Sequence, residues 1–264
     1  MSAEQLKADI VEVARRLYAR ALIGGNEGNV SARDGDVLYI TPAGTCKGFL
    51  SPDQIVATDL EGRPRGGGRA STEVHMHTAI YRRRPDVKAV VHAHPPTATG
   101  FAVAGVPLDR AITAEAVVTL GPVPIIPYGM PATADLAENV GRAICGAQAV
   151  LLAHHGALSV GDSLARAWER METLEQVARV ALVARSLGRE LELPGPDVHR
   201  LEEARAGAGY PPPVCVDCPT CGGAVPVASP PSGAAPAGDT VVLTRAELAR
   251  LVAEAVRRFG RTGS

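Results

Sequence analysis

Two histidines separated by one residue close an apolar run, Val87-Lys88-Ala89-Val90-Val91-His92-Ala93-His94, and that spacing is suited to gripping a single metal ion. In a strand, side chains repeat every two residues, so His92 and His94 share a face. His75 and His77 have the same spacing but fall in a predicted helix, where two residues turn through about 200°; they diverge and cannot chelate together. A second apolar run, Ala149 to Ala153, enters His154-His155-Gly156. Read as a strand end, it points these two histidines opposite ways, so one joins His92 and His94 while the other packs or caps. Three imidazoles leave a coordination position open, as catalytic rather than structural sites do. The plainer reading, histidines with ordinary hydrogen bonds, is weakened because both motifs end apolar strands, where α/β sheets place their chemistry.

Other residues suit an anionic, proton-moving site. Ser71 is a good N-cap for a helix running through Tyr81, which puts Glu73 in its first turn. Ser71 and Thr72 offer hydroxyls and unpaired backbone N–H groups at the positive end of a helix dipole, suited to a phosphate. Gly24-Gly25-Asn26-Glu27-Gly28-Asn29 is a turn-rich loop that permits positive φ and close backbone approach to a ligand. The chain has three lysines, Lys7, Lys47 and Lys88. Lys88 shares strand parity with His92 and so keeps lysine Schiff-base chemistry in view, but its simpler reading is a strand-start charge reaching solvent.

These residues need a scaffold, and the chain supplies alternating helical and strand patterns. Glu4 to Ala21 is helical, with Ile10, Val13, Ala14, Leu17 and Leu22 apolar; Val37 to Ile40 is a strand; Asp162 or Ser163 caps a long helix through Ala184. Interleaved strands and helices predict a layered α/β domain. The 264 residues are 46% hydrophobic and 21% charged, enough for a real core, and the net charge of −1 supplies no field for nucleic acid or an anionic membrane. No apolar run approaches the ~20 residues of a membrane span. The N-terminus does not read as a signal peptide, and five cysteines, an odd count, suggest reduced thiols and a cytoplasmic protein.

Taken in order, Gly28-Asn29-Val30-Ser31, Ile40-Thr41-Pro42-Ala43-Gly44, Ser71-Thr72-Glu73, Val91-His92-Ala93-His94 and His154-His155-Gly156 resemble the motifs of the class II aldolase/adducin-like family, over about residues 4 to 200. The resemblance implies a three-layer α/β/α fold in residues 1–204 and a homotetramer with active sites at subunit interfaces. It implies one Zn²⁺ per chain on His92, His94 and His155, and Glu73 as the acid/base. It further implies a phosphate cradle of Gly28, Asn29, Gly44, Ser71 and Thr72. The reaction implied is retro-aldol cleavage of a deoxyketose 1-phosphate, such as L-fuculose 1-phosphate, to dihydroxyacetone phosphate and a small aldehyde. Epimerases, decarboxylases, dehydratases and non-catalytic adducin-like binding modules share the family. Two departures stand out: Thr113 lies where such aldolases often carry a tyrosine, and Ala43 replaces a phosphate-binding threonine. A second family tyrosine corresponds to Tyr210, a catalytic candidate.

Residues 205–239 are rich in Pro, Gly and Ala and read as a linker. Cys215, Cys218 and Cys221 within it have partial metal-site spacing, with reduced thiols the favoured reading. Residues 240–264 then carry one amphipathic helix. Thr244 and Glu247 form a capping box, and Leu248, Leu251, Val252, Ala255, Val256 and Phe259 line one face. Residues 244–264 hold five Arg and two Glu, net +3. This tail is similar to the encapsulation peptides that load enzymes into bacterial microcompartments, with residues 243–259 binding a shell protein; the rival reading is a helix that seals the enzyme's own oligomer. Deleting residues 240–264 is expected to leave oligomeric state and metal content unchanged by light scattering and metal analysis. Loss of assembly would assign the helix to the oligomer instead.

Overall fold

The computed structural model describes residues 2–215. One seven-stranded sheet organises them: β1 (Asn29–Asp34), β2 (Val37–Ile40), β3 (Val56–Thr58), β4 (Ala89–Ala93), β5 (Ile125–Ile126), β6 (Ala149–Leu152) and β7 (Gly156–Gly161), in the order β3-β2-β1-β4-β7-β6-β5. Every neighbouring pair is antiparallel except β5 and β6. The helices are α1 (Ala3–Ala19), α2 (Val74–Arg83), α3 (Pro96–Ala104), α4 (Ala134–Ala143), α5 (Leu164–Ser186) and α6 (Gly195–Gly207).

Strand periodicity divides the core in two. Val30, Ala32, Val91 and Ala93 bury with Ile10 and Leu17 of α1, Phe101 of α3, and Met171 and Leu174 of α5. Val90, Val150, Leu158 and Val160 face the other way, onto Met76 and Ile80 of α2 and Leu136 and Val140 of α4. The result is the expected α/β/α sandwich. No helix among the described residues is long and apolar enough to cross a membrane.

Several local expectations need correction. Helix α2 begins at Val74 with Glu73 at its cap position, two residues later than the expected Ser71 cap, and the Ser71 hydroxyl accepts from the Glu73 N–H at 3.3 Å. Strand β6 stops at Leu152, so His154 and His155 ride on the turn into β7 rather than on a strand end, and His154 is left-handed at φ 55°. Helix α6 runs past residue 204 to Gly207. Expected reduced thiols are also corrected: Cys145 pairs with Cys215 as a disulfide, Cα atoms 5.4 Å apart, while Cys46 is free. Cysteine parity carries no information on which sulfurs the fold brings together. Cys218, Cys221 and the terminal helix lie outside the described residues.

Arg84, buried just after α2, ties that helix to the end of α4. Its guanidinium grips Asp86 at 2.6 and 2.8 Å and donates to the carbonyls of Ile144 and Ala147 at 2.7 and 3.0 Å. Arg84→Leu strands both carbonyls and removes the partner of Asp86, whose side chain is 32% exposed and stays solvated. We expect a loss of ~2–4 kcal/mol, since each buried acceptor left without its donor costs about 1–3 kcal/mol, read as a lower denaturation midpoint with an unchanged slope.

Candidate metal and anion site

The histidines meet where β4 ends and β7 begins. His92 sits in β4 opposite Leu158, His94 follows just beyond the strand, and the β6–β7 turn brings in His155. One ligand nitrogen from each falls within 4.8 Å of the others. Two glycines make room. A Cβ on Gly156 would lie 2.6 Å from both the Ala93 carbonyl and the His94 ring, and one on Gly28, at φ +66°, would lie 2.8 Å from the His92 carbonyl. His154 is exposed and approaches Tyr128 instead; His75 is exposed and His77 buried, both outside the triad.

Hydrogen bonding aims the lone pairs inward. His92 Nδ1 donates to the Ala157 carbonyl at 2.9 Å, which leaves Nε2 bare. That nitrogen lies 3.2 Å from His94 Nε2, and the Glu73 carboxylate lies 3.3 Å from His92 Nε2 and 3.4 Å from His155 Nε2. Glu73 Oε1 and His155 Nδ1 are buried with no hydrogen-bond partner. Three imidazoles and a carboxylate converging with spare lone pairs fit a borderline divalent cation. Burial pushes the Glu73 carboxyl up, but the charge and hydrogen bond of His92, then His155 and Asn29, outweigh it and hold Glu73 below the usual carboxylate range. His92 is raised, burial being overcome by Glu73. His94 is pushed down to about 3 by burial and then by His92 and His155, which favours its neutral, ligating form.

A cavity of about 230 Å³ opens beside this cluster. Gly28, Asn29, Gly44, Ser71, Thr72, Glu73, His94 and His155 all line it, so the sequence-predicted cradle, base and two of the three candidate ligands share one space, with His92 buried and outside the lining. Lys47 lines it too, and the sequence reading gave that residue no role. It is buried, its ammonium donates to the carbonyls of Thr45 at 2.7 Å and Asn26 at 3.0 Å, and burial lowers its pKa. The signal was present, as one of only three lysines lies three residues after Gly44. Lys88, by contrast, is exposed before β4. Two candidates fall outside the cavity. Thr113 accepts from the Ala116 N–H, and Tyr210 donates to Glu169 at 2.5 Å beneath the Arg166 guanidinium, 3.9 Å from its ring centre.

The family described as Class II Aldolase and Adducin N-terminal domain matches residues 8–182, and the chain belongs to it. An L-fuculose phosphate aldolase of Methanococcus maripaludis is 33% identical over 179 residues, covering 68% of this chain and 97% of that protein. A 3-oxo-tetronate 4-phosphate decarboxylase of Pectobacterium atrosepticum is 33% identical over 187 residues, covering 69% and 86%. Among solved structures, YgbL of Escherichia coli superposes with a TM-score of 0.72 at 30% identity, covering 76% of this chain and 99% of that one.

His92→Ala, His94→Ala or His155→Ala is expected to abolish bound metal, because too few nitrogens remain for a stable site. His75→Ala is expected to retain it. Elemental analysis of protein purified without added metal decides both.

Proposed function

We propose that this protein is a zinc-dependent aldolase that cleaves a deoxyketose 1-phosphate, L-fuculose 1-phosphate or a close analogue, to dihydroxyacetone phosphate and a small aldehyde. The observation that carries this reading is the Glu73 carboxylate, within 3.4 Å of two imidazoles and lining the same cavity as Gly44, Ser71 and Thr72. His92, His94 and His155 hold one Zn²⁺ per chain, which when bound supplies Lewis-acid stabilisation of negative charge at the substrate carbonyl.

The chain's own groups do the rest. Gly28, Asn29, Gly44, Ser71 and Thr72 cradle the phosphate, and buried Lys47 puts a positive charge beneath a cradle that lacks a hydroxyl at Ala43. Glu73, held ionised, takes the proton of the substrate hydroxyl as the carbon–carbon bond breaks and returns one to the donor carbon. Tyr210 lies outside its own chain's cavity, bonded to Glu169, so a role as proton donor would be played in the cavity of a second copy, in keeping with a homotetramer. Residues 243–259 dock on a shell protein and make the enzyme microcompartment cargo in the cytoplasm.

A second reading, decarboxylation of a 3-oxo-tetronate 4-phosphate, is favoured by the equal identity to that decarboxylase. Both need a base beside a metal and a phosphate cradle. A scaffold without catalysis, like the adducin-like modules, is disfavoured by the converging histidines.

Glu73→Gln is expected to keep the fold and most of the metal while turnover falls ~10²–10⁴-fold, the usual contribution of a positioned acid/base. The assay couples dihydroxyacetone phosphate release from 1-phosphorylated deoxyketoses to a reporter. Carbon dioxide release from a 3-oxo-tetronate 4-phosphate, with no such triose phosphate, would move the assignment to the decarboxylase.

A further inference from the structure

A run of buried hydrogen bonds leads from the core to the base. The Tyr81 and Ser31 hydroxyls lie 2.8 Å apart, Ser31 Oγ is 2.6 Å from His77 Nδ1, His77 Nε2 meets Asn29 Oδ1, and Asn29 Nδ2 donates to Glu73 Oε2 at 2.8 Å. Ser31 and His77 are fully buried, and Asn29 and Tyr81 are 2% exposed. Water is therefore not competing for these groups.

Each link has one direction. An ionised carboxylate only accepts, so the Asn29 nitrogen must face Glu73 and its oxygen must face His77. That oxygen cannot donate, so His77 Nε2 carries the hydrogen. The partners on both ring nitrogens are uncharged groups, and a buried imidazole without a paired carboxylate stays neutral, which leaves Nδ1 bare. Ser31 must donate to Nδ1. Its one hydrogen is then used, and Tyr81 must donate to Ser31.

We propose that His77 is a positioning residue: the one-way chain from Tyr81 through Ser31 and His77 locks the Asn29 amide with its nitrogen toward Glu73. The amide has two hydrogens, and Asn29 lines the cavity, so the second is left for a substrate anion. One locked amide thus sets the base and the anion cradle relative to each other. A flipped amide would press oxygen against the carboxylate and offer oxygen to the anion. The functional weight of the lock rests on Glu73 being the acid/base.

Two measurements test this. In metal-loaded enzyme labelled with ¹⁵N-histidine, long-range ¹H–¹⁵N correlation is expected to show His77 as the Nε2–H tautomer, and Tyr81→Phe is expected to reduce that tautomer's population. An Nδ1–H tautomer would mean a flipped amide and overturns the proposal. Second, His77→Leu is expected to keep its metal and melt cooperatively yet lose ~10–100-fold in kcat, the scale seen when an outer partner that orients a site is removed. His77→Gln, whose amide nitrogen can donate to Asn29 Oδ1, is expected to recover part of that loss. Equal loss in both variants, or loss in neither, overturns the lock. Should His77→Leu fail to fold, the tautomer and its response to Tyr81→Phe still decide. If Glu73→Gln keeps full turnover, the acid/base reading fails while the tautomer result stands on its own.

Discussion

The structure turns on the convergence of three imidazole nitrogens and one carboxylate at a single sheet end. Bringing these groups together is unfavourable, because desolvation and crowding of lone pairs both oppose it. Glu73 lies against two of the rings and is itself drawn below the normal carboxylate range by them. A bound cation would offset that cost, taking up lone pairs such as that of Glu73 Oε1, which is buried with no hydrogen-bond partner. Other features follow from holding that geometry: glycine at 28 and 156, where any Cβ would strike strand backbone, and a left-handed residue at 154 that swings His155 in.

The two sheet faces have different tasks. The face toward α1, α3 and α5 is filled by aliphatic side chains from β1, β4 and β7. The face toward α2 carries polarity into the interior. Asn29 pairs in register with His92, and Ser31 with Val90, so the period of two places Asn29, Ser31 and His92 on one side. Helix α2, capped by Glu73, then meets them with His77 and Tyr81, four and eight residues beyond Glu73. The polar groups are tolerated because each finds a partner, and the partners form a path to the site.

Much of this was legible in sequence. The His-x-His spacing placed His92 and His94 in one cluster, since β4 carries His92 and ends only one residue before His94, and it separated His75 from His77 because α2 is a true helix. The site's third histidine was found by a less secure route. Strand parity left His154 and His155 open, and what settles them is a three-residue turn whose conformation no hydrophobic pattern encodes. Lys47 escaped notice because a lone lysine is normally solvent-exposed, and only the folded loops show its ammonium satisfied by two carbonyls. The Cys145–Cys215 pairing joins residues 70 apart, beyond the reach of any local signal.

The choice between aldol cleavage and decarboxylation comes down to what happens to the departing fragment. Both reactions would leave the same kind of anion in the cavity, and both need a proton delivered to carbon, a task Glu73 suits in either case. Carbon dioxide departs needing no proton, so decarboxylation is complete with one chain's cavity. An aldehyde forms from a hydroxyl that must lose its proton at the same moment, and the reverse step needs a donor held at that oxygen. Among the described residues no tyrosine lines the cavity, and Thr113, at the family position, is occupied with the Ala116 N–H. Tyr210 is turned onto Glu169 of its own chain. An aldol reading in which a group other than Glu73 serves that oxygen would therefore draw it from a second copy, whereas decarboxylation needs none, and quaternary structure is where the two readings part.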